Sequence, residues 1–206
     1  MVRHGETDYN RTGIVQGSGV NSTLNKAGQI QADLFYNAYK DFPFEKIYTS
    51  SLRRTIQSVQ RFIDKGIPHQ ILPGLNEISW GKSEGVPFSP ETNRTYYDII
   101  SSWKEGNIYQ KLEGGESPVE VKARQEIAIK YIIEGKESYV LVCMHGRAMK
   151  ILLAWITGHS VAEMDNFEHE NLSLYVLNYD RNRFKIEKTN DISHLNGFKS
   201  AIVSTD

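Results

Sequence analysis

The residues Met1-Val2-Arg3-His4-Gly5-Glu6-Thr7-Asp8-Tyr9-Asn10 decide how the rest of the chain is interpreted. They place a guanidinium beside an imidazole, followed by a glycine, a carboxylate, a hydroxyl and an amide. This pattern has the period of neither a core strand nor an amphipathic helix. Arginine donors match the oxygens of a phosphate, and a neutral imidazole is a nucleophile. The stretch predicts an anion site with His4 beneath the anion, to be completed by a second arginine, a second histidine and a proton donor.

Length and composition limit the class of protein. The chain has 206 residues, of which 39% are hydrophobic and 24% are charged, so we expect one globular domain with a sizeable core. The formal net charge of −1 excludes a field that attracts nucleic acid or an anionic membrane. The single cysteine, Cys143, excludes an intrachain disulfide. There is no run of 18 apolar residues and no visible leader, so a cytoplasmic protein is expected.

The first half of the chain alternates between helical and strand patterns. Arg11 to Thr23 is predicted as a loop, and a helix with Asn25 as its N-cap follows it. A short strand is predicted at Lys46–Thr49, then a helix capped by Ser50 or Ser51, then a strand at Gln70–Leu72. Such alternation favours a parallel sheet flanked by helices.

The second half of the chain begins with an irregular segment and returns to regular elements. Residues 81–115 are rich in glycine turns and contain one helix that starts at Ser89-Pro90, which suggests a cap insertion across one edge of the sheet. Ser117-Pro118-Val119-Glu120 predicts the capping box of a helix that runs to about Ile133. Tyr139–Met144 is predicted as a strand buried on both faces. A helix after His145-Gly146 and a terminal hairpin around Asp180 to Asn182 complete the chain.

Charged and polar residues follow four of the predicted strands. In open α/β sheets, ligands bind beyond the carboxyl ends of the strands. Arg3-His4, Ser51 to Arg54, Glu77 and His145-Gly146 should therefore meet at one rim. Two helices begin at this rim and add backbone donors and positive dipole ends. A phosphate is the ligand that suits such a set.

These segments, in this order, resemble the histidine phosphatase superfamily, also called phosphoglycerate mutase-like. Arg3-His4-Gly5-Glu6-Thr7 with Asn10 is similar to the family signature, and Gln16-Gly17 to the loop that follows it. Ser50-Ser51-Leu52-Arg53-Arg54 resembles the segment of the second arginine, and Leu75-Asn76-Glu77-Ile78 the segment of the proton donor. Gly114-Gly115-Glu116-Ser117 and His145-Gly146 match the later motifs. The resemblance implies an α/β three-layer sandwich: a mostly parallel central sheet, helices on both faces and a small cap.

The resemblance also implies the roles of the site residues. His4 would be the nucleophile, with Glu77 as proton donor and a protonated His145 beside the phosphate. Arg3, Asn10, Arg54 and Gly146 would bind the phosphate, and Gln16 and Gly17 would contact the substrate. Arg53 is the alternative to Arg54, and Glu84 is the alternative to Glu77. His69, His159, His169 and His194 are expected to be structural or exposed. No metal or other cofactor is expected.

The predicted activity is metal-independent hydrolysis of a phosphomonoester through a phosphohistidine. Its substrate would be a small phosphorylated metabolite. The resemblance leaves a cofactor-dependent phosphoglycerate mutase as the first alternative, although mutases carry extra basic residues in a longer cap. A catalytically silent module that binds phosphorylated ligands is the second alternative; such a relative is expected to lack His4 or Glu77, and both are present.

The strand before the signature is expected to be longer than Met1-Val2. A central parallel strand supplies hydrogen bonds to neighbours on both sides, and each unpaired buried group costs roughly 1–3 kcal/mol. We therefore predict that Met1 is an internal methionine, or that tag residues replace the missing part of the strand. The natural protein should have a few more apolar residues upstream, which the codons in frame before Met1 would test.

Overall fold

A computed structural model describes residues 1–87 and 89–196 of the chain. Its centre is one six-stranded sheet in the order β3-β2-β4-β1-β5-β6. The strands are β1 (Val2–Arg3), β2 (Lys46–Thr49), β3 (His69–Ile71), β4 (Val140–Met144), β5 (Leu174–Tyr179) and β6 (Phe184–Asp191). The first four of the spatial order are parallel, and β5 and β6 are antiparallel additions. The predicted mostly parallel α/β sheet is confirmed.

Helices cover both faces of the sheet. They are α1 (Asp8–Thr12), α2 (Lys26–Tyr39), α3 (Arg53–Asp64), α4 (Pro90–Lys104), α5 (Pro118–Ile133) and α6 (Gly146–Ile156). Alternate residues of β4 enter two separate hydrophobic clusters: Val142 and Met144 pack with α5 and α6, whereas Leu141 and Cys143 pack with α2 and α3. Successive strand side chains point to opposite faces, so these two clusters are the two interfaces between the layers of a three-layer sandwich.

The helix starts that were predicted from caps are confirmed. Asn25, Ser89 and Ser117 each accept a hydrogen bond from the first turn of their helix. Pro90 and Pro118 each occupy the first helical position, where the missing N–H is harmless. Local side-chain chemistry therefore positions α2, α4 and α5 along the chain.

Two local predictions were wrong. Residues 8–12 form the short helix α1, capped by the Thr7 hydroxyl, within a stretch predicted to have no helix. The N-cap of α3 is Leu52, which makes no side-chain cap bond, and not Ser50 or Ser51. Ser50 is fully buried and its hydroxyl bonds His145. The Ser50 hydroxyl also accepts from the Leu52 N–H at 3.1 Å, so it joins the start of α3 to the distant His145.

The segment of residues 81–115 lies against the α5–α6 side of the sheet. Its helix α4 buries Ile99, Ile100 and Trp103, and the Trp103 ring lies 5.5 Å from that of Trp80. Phe88 lies outside the described residues. In the part of the chain that the structure covers, no helix combines the length and apolar character needed to cross a membrane.

Candidate active site

Four neighbouring parallel strands end at one rim and deliver polar side chains to it. The loop after β1 begins with His4, whose N–H donates to the Met144 carbonyl of β4 at 3.0 Å. The N-cap of α6, His145, follows β4 directly. As a result, the rings of His4 and His145 lie with centroids 5.1 Å apart. The predicted convergence of the two histidine segments is what the sheet produces.

The ring of His4 is held in one tautomer. Its Nδ1 lies 2.7 Å from the Gly5 carbonyl oxygen, which can only accept. Nδ1 therefore carries the proton, and Nε2 keeps its lone pair. Burial, followed by the charges of Arg54 and Arg3, lowers the pKa of His4 well below 6.5. His4 is thus a neutral imidazole with Nε2 available as a nucleophile.

His145 is also neutral, which corrects the expectation of a protonated ring. Arg54 Nε, which can only donate, lies 3.2 Å from His145 Nδ1, so this nitrogen accepts. The other nitrogen, Nε2, then donates to Ser50 Oγ at 2.7 Å. Burial, together with the positive charge of Arg54, lowers the pKa of His145 well below 6.5. Both ring nitrogens of His145 are therefore bonded within the protein, and the ring is an imidazole and not an imidazolium.

Arg54 is the second arginine of the site. Its side chain is 0% exposed, and Nη1 and Nη2 donate to the carbonyls of Val20 at 2.6 Å and Gly17 at 3.2 Å. Burial lowers its pKa to about 10, so the guanidinium stays charged at neutral pH. Arg53, the alternative, is exposed, and its backbone N–H donates to Asn21. The structure therefore places Arg54, and not Arg53, beside His145.

Arg3 contacts His169, which the sequence analysis expected to be structural or exposed and did not place in the site. Arg3 Nη1 lies 3.2 Å from His169 Nδ1, and within the described residues Arg3 Nε is buried without a hydrogen-bond partner. A Cβ on Gly146 would come within 2.9 Å of the His169 ring, so glycine permits this packing. Burial, then the charge of Arg3, lowers the pKa of His169 to about 3. No spacing in the sequence connects His169 with Arg3.

The carboxylate of Glu77 lies against the N-terminus of α6. Its Oε1 accepts from the N–H groups of Ile78 at 2.9 Å and Ala148 at 2.7 Å, and its Oε2 from that of Arg147 at 3.1 Å. Helix N-termini favour a carboxylate in this position. Because Oε2 takes only one of the three bonds, it keeps a lone pair that can accept a proton. Burial lowers the pKa of Arg3, and among the neighbouring charges Glu77 does most to raise it again.

Glu84, the alternative proton donor, holds two loops together. Its Oε2 accepts from the Gly19 N–H at 2.8 Å, and its Oε1 from the Trp80 N–H at 2.8 Å. A Cβ on Gly17 would lie 2.2 Å from Oε1, so this carboxylate fills the space beside the loop. These contacts give Glu84 a structural role.

Residues of the loop after the signature brace one another. Gln16 is buried, and its Nε2 donates to Thr7 Oγ1 at 2.7 Å. Asn10 Oδ1 accepts from the Thr7 N–H at 3.2 Å and from Asn171 Nδ2 at 3.3 Å. Nδ2 of Asn10 therefore remains as a donor for a ligand. Direct contact of Gln16 and Gly17 with substrate stays a prediction.

Asn171 is a second residue that the sequence did not single out. Its Nδ2 also donates to the His4 carbonyl at 3.0 Å, so it joins the segment before β5 to the nucleophile. Arg124 braces the opposite side, because it donates to the carbonyls of Asn76 and Glu77 and forms an ion pair with Glu116 at 2.8 Å. Among the described residues no group of three or more His, Cys, Asp or Glu side chains could hold a metal ion.

The comparisons with known proteins identify the family. The family model of the histidine phosphatase superfamily (branch 1) matches residues 1–192. The chain belongs to this superfamily, and the prediction of a phosphatase-type enzyme is confirmed at the level of the family.

Individual relatives cover nearly the whole chain. It is 29% identical over 201 residues to the uncharacterized phosphatase PhoE of Bacillus subtilis, with 96% of each chain covered. It is also 29% identical over 205 residues to the probable phosphoglycerate mutase GpmB of Yersinia enterocolitica, covering 95% of this chain and 93% of that one. The solved structure of a mycobacterial glucosyl-3-phosphoglycerate phosphatase with VO3 has the same fold, with a TM-score of 0.82 at 23% identity over 92% of this chain and 96% of that one.

Proposed function

We propose that the protein hydrolyses a phosphomonoester of a small metabolite through a phosphohistidine on His4. The observation that carries the proposal is the hydrogen bond between His4 Nδ1 and the Gly5 carbonyl. It leaves the Nε2 lone pair of a neutral ring beside two arginines. A neutral imidazole next to cations that attract a phosphate is what in-line attack on phosphorus requires.

In the first step His4 Nε2 forms a bond to phosphorus and the bond to the leaving oxygen breaks. Arg3 and Arg54 offset the charge on the transferring group, and Asn10 Nδ2 can donate to its oxygens. His145 holds Arg54 in position by accepting from its Nε. Glu77 carries the proton that the leaving oxygen takes. In the second step a water oxygen bonds to phosphorus as the bond from His4 Nε2 to phosphorus breaks, and the water gives its proton to Glu77. Inorganic phosphate leaves, and His4 and Glu77 are back in their starting states.

The pairing of cations with carboxylates in the segment 81–115 favours hydrolysis over isomerisation. A mutase needs free cations that hold a phosphorylated acid in two orientations. Three of the four cations of this segment are each close to a carboxylate of their own: Lys82 to Glu113, Arg94 to Asp98 and Lys111 to Glu120. The fourth, Lys104, is 58% exposed and shares Asp165 with two other cations. We propose that this segment caps the site and limits which alcohol part of the ester can enter.

Two measurements on the purified protein test the proposal. With p-nitrophenyl phosphate we expect hydrolysis that survives EDTA, and with 3-phosphoglycerate plus a bisphosphate primer we expect no isomerisation. Rapid quenching should trap phosphate that is labile to acid, stable to base and located on the peptide of His4. Label on a serine or cysteine, or turnover that requires added metal, would contradict the mechanism. Isomerisation faster than hydrolysis would support the mutase instead.

A further inference from the structure

A group of charged residues beside the site has more positive than negative charge. Asp165 accepts from Arg147 Nη1 at 2.7 Å and from Lys150 Nζ at 3.0 Å. The exposed fractions of these side chains are 18%, 12% and 17%, so solvent screens them weakly. One carboxylate therefore serves two mostly buried cations and leaves one formal positive charge. Lys104, at 3.9 Å from Asp165, adds a third cation but is 58% exposed.

This cation pair adjoins the phosphate site. Arg147 follows His145-Gly146 directly, and its backbone N–H donates to Glu77. After burial and the charge of Arg3, the charges of Lys150 and Arg147 contribute to the lowered pKa of His169, the residue in contact with Arg3. Arg147 and Lys150 thus belong to the same wall as Arg3.

Tyr96 belongs to α4 of the segment 81–115 and interacts with Arg147 of this wall. Burial lowers the pKa of Arg147, but the interactions of the guanidinium with Tyr96 and Asp165 outweigh it and raise the pKa. Tyr96 also raises the pKa of Arg3, against the lowering by burial. Its ring lies 5.0 Å from that of Trp80, which holds it in place. A guanidinium has five donors, and the bond of Arg147 Nη1 to Asp165 uses one of them, so others can face a ligand.

We infer that Arg147 and Lys150 form a second anion-binding subsite, and that the substrate is a phosphorylated carboxylic acid. The inference rests on the proposed function. Arg3 and Arg54 already balance a phosphate dianion, so the charge left by Arg147, Lys150 and Asp165 suits one further negative charge. A carboxylate supplies one charge and fits the planar fork of an arginine. A second phosphate dianion would bring more negative charge than the one positive charge that these three residues leave.

Matched substrates test the inference on the unmodified protein. D-3-phosphoglycerate and glycerol 3-phosphate differ in whether a carboxylate or a hydroxymethyl group follows the phosphorylated part. A charge-assisted contact should favour the former by roughly 10- to 100-fold in kcat/KM. Fructose 1,6-bisphosphate and fructose 6-phosphate form the second pair, and they should differ less than the first pair.

Variants assign the preference to residues. Arg147→Met and Lys150→Met should each lose roughly 10-fold more activity on 3-phosphoglycerate than on glycerol 3-phosphate. Lys122→Met is the matched control, because it removes an exposed cation that pairs with Glu126 on α5. It should keep the full preference.

The outcomes separate this inference from the proposed function. If p-nitrophenyl phosphate is not hydrolysed, the proposed function fails. If it is hydrolysed but the wild type treats 3-phosphoglycerate and glycerol 3-phosphate alike, only the subsite is overturned. A preference that survives in both variants would overturn the assignment to Arg147 and Lys150. A stronger preference for the bisphosphate pair would overturn the single-charge argument.

Discussion

The rim of the parallel strands and the surface of the segment 81–115 differ in the burial of their charged side chains. At the rim, Arg54 is fully buried and uses three of its groups on His145, Val20 and Gly17. On the segment, Lys82 and Glu113 lie 2.6 Å apart with 75% and 76% of their side chains exposed. An exposed pair contributes about 0–1 kcal/mol, whereas removing one partner of a buried charge costs about 3–5 kcal/mol. The reaction is therefore expected to depend on the rim, and the segment surface should tolerate change.

Among the changes at the rim, replacement of the nucleophile should reduce the rate of turnover most. His4→Ala removes the atom that bonds to phosphorus, and turnover of every phosphomonoester should fall by a factor on the order of 10⁴–10⁶. Steady-state hydrolysis of p-nitrophenyl phosphate measures it. Activity within tenfold of the wild type would show that His4 only binds the phosphate.

Glu77→Gln should have the next largest effect, and its size should depend on the leaving group. The amide keeps the shape of the side chain but cannot transfer the proton. The rate with an alkyl phosphate should fall by a factor on the order of 10²–10⁴, and the rate with p-nitrophenyl phosphate much less, because p-nitrophenolate leaves without a proton. Equal losses with both substrates would give Glu77 the structural role of holding α6.

The buried histidines of the rim predict a loss of stability in mild acid. The pKa of His169 falls from 6.5 to about 3 on folding, so below pH 6.5 the unfolded chain binds a proton that the native protein excludes. The free energy of unfolding then decreases as pH falls, by up to about 1.4 kcal/mol per pH unit for each such histidine. His4 and His145 shift in the same direction.

Urea unfolding at pH 6.5 and pH 5.0 measures this effect. His169→Gln should reduce the difference between the two free energies by about 1.6 kcal/mol, since one proton no longer contributes. The exposed His159→Gln is the matched control. An unchanged difference in His169→Gln would show that His169 titrates alike in both states.

Lys82→Met should have the smallest effect. It breaks an exposed ion pair, so the free energy of unfolding should change by less than about 1 kcal/mol, and hydrolysis of p-nitrophenyl phosphate should stay within a factor of two. Thermal unfolding and steady-state rates measure the two. A tenfold loss of rate would contradict the division between rim and segment surface.

Local chemistry explains which parts of the fold were predictable. Asn25, Ser89 and Ser117 bond within their own first turn, so their helices could be located from short stretches. The buried strand β4 followed from a continuous apolar run. Ser50 could not be interpreted in this way, because its hydroxyl bonds His145, which is 95 residues away. The helix α1 was missed because its capping residues lie inside the signature.

The sequence by itself determined the order of the motifs, the elements that carry them and the rim where Arg3, His4, Glu77 and His145 meet. Those features depend on residue type, cap chemistry and the shared direction of parallel strands. The tertiary structure alone decided the neutral state of His145, which depends on a donor from Arg54, and the placement of His169 and Asn171 beside the signature. These are contacts between segments far apart in the chain, and they form only when the sheet brings β1, β4 and β5 together.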